Sequence, residues 1–267
     1  MTFKSFFIWV LAIYLLLCAS FSIFQNLFFL HPKALDSDYK FSFDMPFEER
    51  QILLDKNTSI DILMFKPKDS VPKGVVLYLH GNQENVERYA PYSKNFTKHG
   101  YECWMPDYPT YGKSTGAITV ANMENMALQL YKMAKAKYAT DKIIVYGKSM
   151  GTGLAAYLAS VSDCKQLILE TPYYSLQSLS MRYTPFIPIN MFLKMEFTTG
   201  EYIKRVMEPV TIFHGVQDEV IPFSNGMRLI SNMKKGDRFV AIPDGEHNNL
   251  PSKLLYQNTL DSLLSTP

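Results

Sequence analysis

From residue 73 to the C-terminus, stretches with strand character alternate with stretches of helical spacing. "KGVVLYLHG" (73–81), "YECWMPD", "DKIIVYG", "KQLILE", "PVTIFHG" and "RFVAIP" are short apolar runs bounded by glycine or polar residues. Runs of that kind suit strands buried on both faces. Between them, "ENVERYAPYSKNFTKHG" has helical spacing closed by Gly100, with Pro91 as an interruption. "TVANMENMALQLYKMAKAKY" puts Val120, Met123, Ala127, Leu130 and Ala134 on one helical face. "TGLAAYLAS", the region around "SNGMRLISNMKK" and "LPSKLLYQNTLDSLL" supply further helices, and two strands, "ERQILLD" and "SIDILMFK", precede the series. The alternation predicts an α/β fold, a mostly parallel sheet with helices on both faces. In such sheets the ligand site forms beyond the carboxyl ends of the strands, so functional residues should follow strands directly.

The length of 267 residues suits one larger globular domain with an appendage, and 47% hydrophobic content allows a substantial core. A net charge of +2 without a basic stripe gives no basis for a nucleic-acid partner. Cys18, Cys103 and Cys164 lack metal-ligand spacing and read as small buried apolar residues.

The appendage is the N-terminus. From Ser5 to Leu30 no residue is formally charged, and about 20 apolar residues in helix cross a bilayer core. Residues 1–30 are therefore expected to form a single transmembrane anchor, and residues 31–46 a juxtamembrane linker to a domain over 47–267. Lys4 ahead of the run favours a cytoplasmic N-terminus, which puts the domain on the extracytoplasmic side. A signal peptide cleaved near "CAS" (Cys18 to Ser20), or a lipoprotein signal ending at Cys18, competes with the anchor. Apolar residues continuing to Phe29 favour the anchor.

Two near-identical hexapeptides carry the pattern G-x-S-x-G: "YGKSTG" at 111–116 and "YGKSMG" at 146–151. A nucleophile elbow needs a strand before the serine and a helix after it. Ser149 has both, in "DKIIVYG" and "TGLAAYLAS", whereas Ser114 follows the proline-broken "DYPTYG" and reads as loop. A phosphate loop is excluded, because Asp107 and Lys142 stand where the Walker pattern requires glycine.

A serine nucleophile needs a base and an acid that orients the base. Among the five histidines, His247 in "PDGEHNNL" directly follows the last strand, while His80 and His214 end strands and read as structural. Asp218 in "FHGVQDEVIP" follows the strand before it, giving the order Ser149, Asp218, His247. Glu170, at the tip of "KQLILE", is the second candidate for the acid, and Glu219 reads as a solvated neighbour. Oxyanion donors are expected from the amide of Met150 and from Asn82 or Gln83 in the loop after "VVLYLHG", with position favouring Asn82.

"LYLHGNQEN", "DYPTYGKSTG", "YGKSMGTGLA", "LETPYYSL", "IFHGVQDEVIPF" and "IPDGEHNNL" together resemble the α/β-hydrolases, and more narrowly the membrane-anchored ABHD-type serine hydrolases. The sequence departs from their pattern at Pro109–Thr110, where Arg-Gly is more usual, and at "DKNTSI", which lacks an Asp-Gly turn. The resemblance implies an eight-stranded sheet and acyl transfer to water from an ester, thioester or amide, with no metal or organic cofactor. It also implies a small-molecule or lipid-like acyl substrate; the enzyme is expected to act as a monomer. Residues 172–208, rich in Tyr, Phe, Met and Pro, read equally as a small cap over an apolar acyl pocket and as packing on the sheet. A serine peptidase of the same fold and a non-catalytic binding module of the same fold are the alternatives.

Overall fold

In a computed structural model, the strand-like runs join one eight-stranded sheet. The strands are β1 (Phe47–Leu53), β2 (Ser59–Phe65), β3 (Gly74–Leu79), β4 (Tyr101–Pro106), β5 (Ile143–Lys148), β6 (Gln166–Glu170), β7 (Val210–Gly215) and β8 (Arg238–Ile242). Their order across the sheet is β1-β2-β4-β3-β5-β6-β7-β8. All pairs are parallel except the two made by β2, which runs antiparallel to both β1 and β4. The structure describes residues 2–68, 71–184, 186–188, 191 and 193–265. Residue 1 of the expected anchor, residues 185, 189, 190 and 192 of the expected cap, and residues 69–70 and 266–267 of the expected domain lie outside the described residues.

The continuous apolar runs have the burial they imply: every residue of β3 through β7 is buried. Edge strand β1 is largely exposed, as a strand with one open side must be. The turn from β1 to β2 works without Asp-Gly. The Asp55 carboxylate accepts the Asn57 amide at 2.7 Å, and the Leu54 amide donates to the Thr58 carbonyl at 2.9 Å, so a side chain closes the turn.

Helices cover both faces. The main ones are α1 (Phe3–Phe29), α2 (Val120–Lys135), α3 (Gly151–Val161), α4 (Leu176–Tyr183) and α5 (Leu254–Ser265). On one face Met123, Met126, Ala127 and Leu130 of α2 and Leu154 of α3 pack on Ile60, Ile62, Leu77 and Val145. On the other, Tyr256, Leu260 and Leu264 of α5 join Val76, Ile144, Ile168 and Phe213. The helix expected over "ENVERYAPYSKNFTKHG" is broken into Val86–Tyr89, a 3₁₀ turn at Ala90–Ser93 and Lys94–Thr97. Pro91 lacks the N–H that would continue the first segment.

The N-terminal run is one 27-residue helix, α1, long and apolar enough by length and composition to cross a membrane. Phe6, Phe7, Trp9, Leu11, Ile13 and Leu16 are exposed, whereas Cys18, Phe21, Gln25 and Leu30 are buried against the domain. Residues 31–46 do not hang free. His31–Pro32 pair in parallel with Gln83–Glu84, the Leu35 amide donates to the Gly112 carbonyl at 2.8 Å, and Phe41 enters the core on the α5 side of the sheet.

Candidate active site

Ser149 stands between the end of β5 and the start of α3 with φ at +50°. A non-glycine residue in the left-handed region carries local strain. The strain is held by the Ser149 amide donating to the Glu170 carbonyl at 2.9 Å, and by Thr152, whose amide and hydroxyl both donate to the Ser149 carbonyl, at 3.0 and 2.6 Å. Small residues let the turn form. A Cβ on Gly151 would collide with the Leu79 carbonyl oxygen, and one on Gly147 would meet the Ala155 Cβ at 2.7 Å. The helix α3 thereby lies close against β3 and β5.

Two loops beyond neighbouring strands bring up the other groups. Asp218 follows β7 and His247 follows β8. The Val216 amide donates to the Ile242 carbonyl, and the Gln217 amide to the Gly245 carbonyl, both at 2.9 Å. Gly215 and Gly245 touch backbone to backbone, leaving no room for a Cβ on Gly215. These contacts fix one loop against the other. His247 Nδ1 then lies 2.9 Å from Asp218 Oδ2, and His247 Nε2 lies 3.0 Å from Ser149 Oγ. Both distances are within hydrogen-bond reach of a nucleophile, base and orienting acid. Asp218 Oδ1 accepts the amides of Val220 at 2.9 Å and Ile221 at 2.7 Å. That turn buries Asp218 and leaves Glu219 exposed.

Glu170 serves elsewhere. Its carboxylate is bonded to Lys148 Nζ and to the hydroxyl of Tyr146, and accepts from Tyr256 at 3.0 Å. Lys148 Nζ also reaches the His247 carbonyl at 3.5 Å. This buried Lys–Glu pair braces the histidine loop from below; the sequence reading had not singled out Lys148. His214 is fully buried, with Nε2 2.9 Å from the Ile221 carbonyl, and burial holds its pKa below the ordinary histidine value. Ser114 is also buried: its hydroxyl accepts the Asp61 amide at 2.9 Å and donates to the Asp107 carbonyl at 2.8 Å. It ties a loop to β2.

Met150 and Asn82 line the same cavity as Ser149 and His247, a space of about 670 Å³ with a mostly apolar wall. His80 Nδ1 lies 2.7 Å from the Gly81 carbonyl. The Asn82 carbonyl accepts the His31 amide at 3.0 Å and the Tyr111 hydroxyl at 2.9 Å. The Gln83 amide donates to the Tyr89 hydroxyl at 3.3 Å. Segment 172–208 divides between two roles. Leu176, Leu179, Tyr183 and Met195 line the cavity, while Phe197, Ile203 and Val206 are buried in the core beside α3. Phe21, Phe29 and His31 also line it. Phe21 and Phe29 escape a sequence reading because apolar residues run round almost all of α1, and His31 because it follows the helix in a segment that reads as linker.

The family model described as serine aminopeptidase, S33 matches residues 70–200. Among curated proteins, Protein ABHD12B of Homo sapiens is 27% identical over 206 residues, covering 67% of this chain and 57% of its own length. Lysophosphatidylserine lipase ABHD12 of Danio rerio is 27% identical over 227 residues, covering 72% of this chain and 58% of its own. The chain therefore spans a little over half the length of these relatives. Among solved structures, an esterase of Pyrococcus furiosus superposes with a TM-score of 0.67 at 18% identity, over 88% of this chain and 97% of that one. Fold and strand order agree with those structures: the chain has the α/β-hydrolase fold, and its sequence is similar to ABHD-type hydrolases.

Proposed function

We propose that the chain is a membrane-anchored serine hydrolase that cleaves carboxylic ester or thioester bonds of an acyl substrate. The carrying observation is the continuous relay from Asp218 through His247 to Ser149 at the floor of an apolar cavity. Ser149 Oγ attacks the acyl carbonyl as His247 Nε2 takes its proton. Asp218 holds the imidazole with Nδ1 protonated and stabilises the imidazolium. His247 then returns the proton to the leaving alcohol or thiol, and water, activated by the same nitrogen, releases the acid from the acyl-enzyme.

The amides of Met150 and Asn82 hold the oxyanion. Met150 is the N-cap of α3, where the positive end of the helix dipole favours negative charge. His80 engages the Gly81 carbonyl, so in the trans Gly81–Asn82 peptide the Asn82 N–H points the opposite way. The Gln83 amide is already taken by Tyr89, which favours Asn82 over its neighbour. In this reading the enzyme acts as a monomer. Residues 1–30 anchor the protein, residues 31–46 join the anchor to the domain over 47–267, residues 172–208 cap the cavity, and the domain faces the extracytoplasmic side. The lipase name of the ABHD12 relatives supports a lipid-like substrate.

Fluorophosphonate labelling of the full chain, abolished in Ser149→Ala, is the expected result; undiminished labelling of that variant would remove Ser149 from its role. A peptidase reading draws support from the description of the matching family model. Acyl esters of graded length set against peptide amides decide between the two, because the acyl-enzyme chemistry is shared.

A further inference from the structure

The N-terminal helix is longer than a bilayer requires. At 27 residues it extends about 40 Å, against a hydrocarbon core of about 30 Å. The surplus is its C-terminal end, and that end is where α1 meets the domain. Its contacts are polar as well as apolar. The buried Gln25 accepts the Lys194 amide of segment 172–208 through Oε1 at 2.7 Å. Asn82 Nδ2 donates to the Phe29 carbonyl at 2.7 Å, satisfying one of the orphan acceptors that every helix leaves in its last turn. The His31 amide then bonds the Asn82 carbonyl.

These contacts seat Phe21 and Phe29 in the wall of the cavity that holds Ser149, facing Leu176, Leu179, Tyr183 and Met195. Phe21 is 4% exposed, on a helix whose preceding turns expose Phe, Trp, Leu and Ile side chains. The same helix that lends Phe21 and Phe29 to the cavity wall therefore also carries the exposed apolar side chains.

We propose that α1 is a working part of the substrate site, with Phe21 a specificity-determining residue that holds the acyl tail of a substrate entering from the lipid phase. The inference rests on the reading of Ser149 as nucleophile. Segment 172–208 supplies one wall of the tail channel and the anchor supplies the other. A tail long enough to pass the Ser149 end of the cavity gains contact with Phe21, and each methylene it removes from water contributes about fourfold in affinity. Short acyl groups end before they reach it.

The test uses the full chain in phosphatidylcholine nanodiscs and fluorophosphonates bearing ethyl, octyl and dodecyl tails. Wild-type protein is expected to react faster with octyl than with ethyl. Phe21→Ala and the gentler Phe21→Met should lower the octyl and dodecyl rates about fivefold or more, while the ethyl rate stays within about twofold. Phe21→Trp should move the preference toward the shorter tails. Leu16→Ala, on the exposed part of the helix, should change none of the ratios. An octyl-to-ethyl ratio unchanged from wild type in both Phe21→Ala and Phe21→Met would overturn the proposal. So would an equal fall for all three tails, which would make Phe21 a structural prop. Absence of Ser149 labelling by every tail would remove the nucleophile reading and this inference together; an unchanged ratio on a labelled protein removes the inference alone.

Discussion

Asp218 presents its two carboxylate oxygens to different partners: Oδ2 lies 2.9 Å from His247 Nδ1, while Oδ1 accepts the amides of Val220 and Ile221. The two amides fix which way an amide side chain would sit. In Asp218→Asn the carbonyl oxygen must stay on the Val220 and Ile221 amides, so the NH₂ faces His247 Nδ1. Two donors cannot face each other, so the imidazole is driven to the tautomer with Nε2 protonated, and Nε2 can no longer take the serine proton. Ester hydrolysis should fall about ten-thousand-fold with an unchanged circular-dichroism spectrum. A loss under tenfold would assign the acid elsewhere.

Glu170 is the other carboxylate near the elbow, and it should behave in the opposite manner. It is 1% exposed and paired with a Lys148 that is itself buried. Glu170→Gln leaves that ammonium without its counter-charge, which costs about 3–5 kcal/mol. A fall in thermal midpoint of many degrees is expected. Hydrolysis per folded molecule should fall far less than in Asp218→Asn, with the residual effect coming through the Lys148 contact to the His247 carbonyl. Calorimetry paired with active-site titration separates the two quantities. A stable but inactive Glu170→Gln would reverse the roles.

The twin hexapeptides give a third comparison. Ser114 Oγ sits between the Asp61 amide and the Asp107 carbonyl, and the pattern around it is a loop fastening. Ser114→Ala strands a buried backbone donor, at about 1–3 kcal/mol. Chemical denaturation should show that loss, while fluorophosphonate labelling stays at the wild-type level. Reduced labelling at undiminished stability would contradict this assignment.

The contrast between those serines shows what was legible. The periodicity of "DKIIVYG" followed by "TGLAAYLAS" is local, so sequence alone could place Ser149 on an elbow and Ser114 in a loop. The alternation after residue 73 and the apolar N-terminal run were legible for the same reason. Which carboxylate meets His247 was harder. Glu170 ends a strand and Asp218 closely follows one, and it is the contact of the loops after β7 and β8, made possible by Gly215 and Gly245, that separates them. The seating of Phe21 and Phe29 in the cavity wall was not legible at all. It depends on contacts between residues far apart in the chain, Gln25 with Lys194 and Phe29 with Asn82. Apolar residues surround almost all of α1, with Gln25 and Asn26 as polar exceptions near its C-terminal end, so the apolar pattern does not distinguish the face that meets protein from the face that meets lipid.

Asp61 supplies a pH dependence outside the candidate site. It is 2% exposed, and Oδ2 has no hydrogen-bond partner among the described residues. Burial, with the nearby carboxylates of Glu49 and Asp107, raises its pKa to about 7, against about 3.9 for an unperturbed aspartate. The folded state therefore holds this proton more tightly than the unfolded chain does. Between those two values the native protein binds more protons, so the contribution of Asp61 to stability is fully present below about pH 4 and is lost as pH rises through about 7. Asp61→Asn keeps the shape and removes the titration. Its thermal midpoint relative to wild type should climb from pH 5 to about pH 7 and level off above. Measured at half-unit intervals, a difference that stays flat over that window would show that Asp61 is ionised in the folded protein throughout.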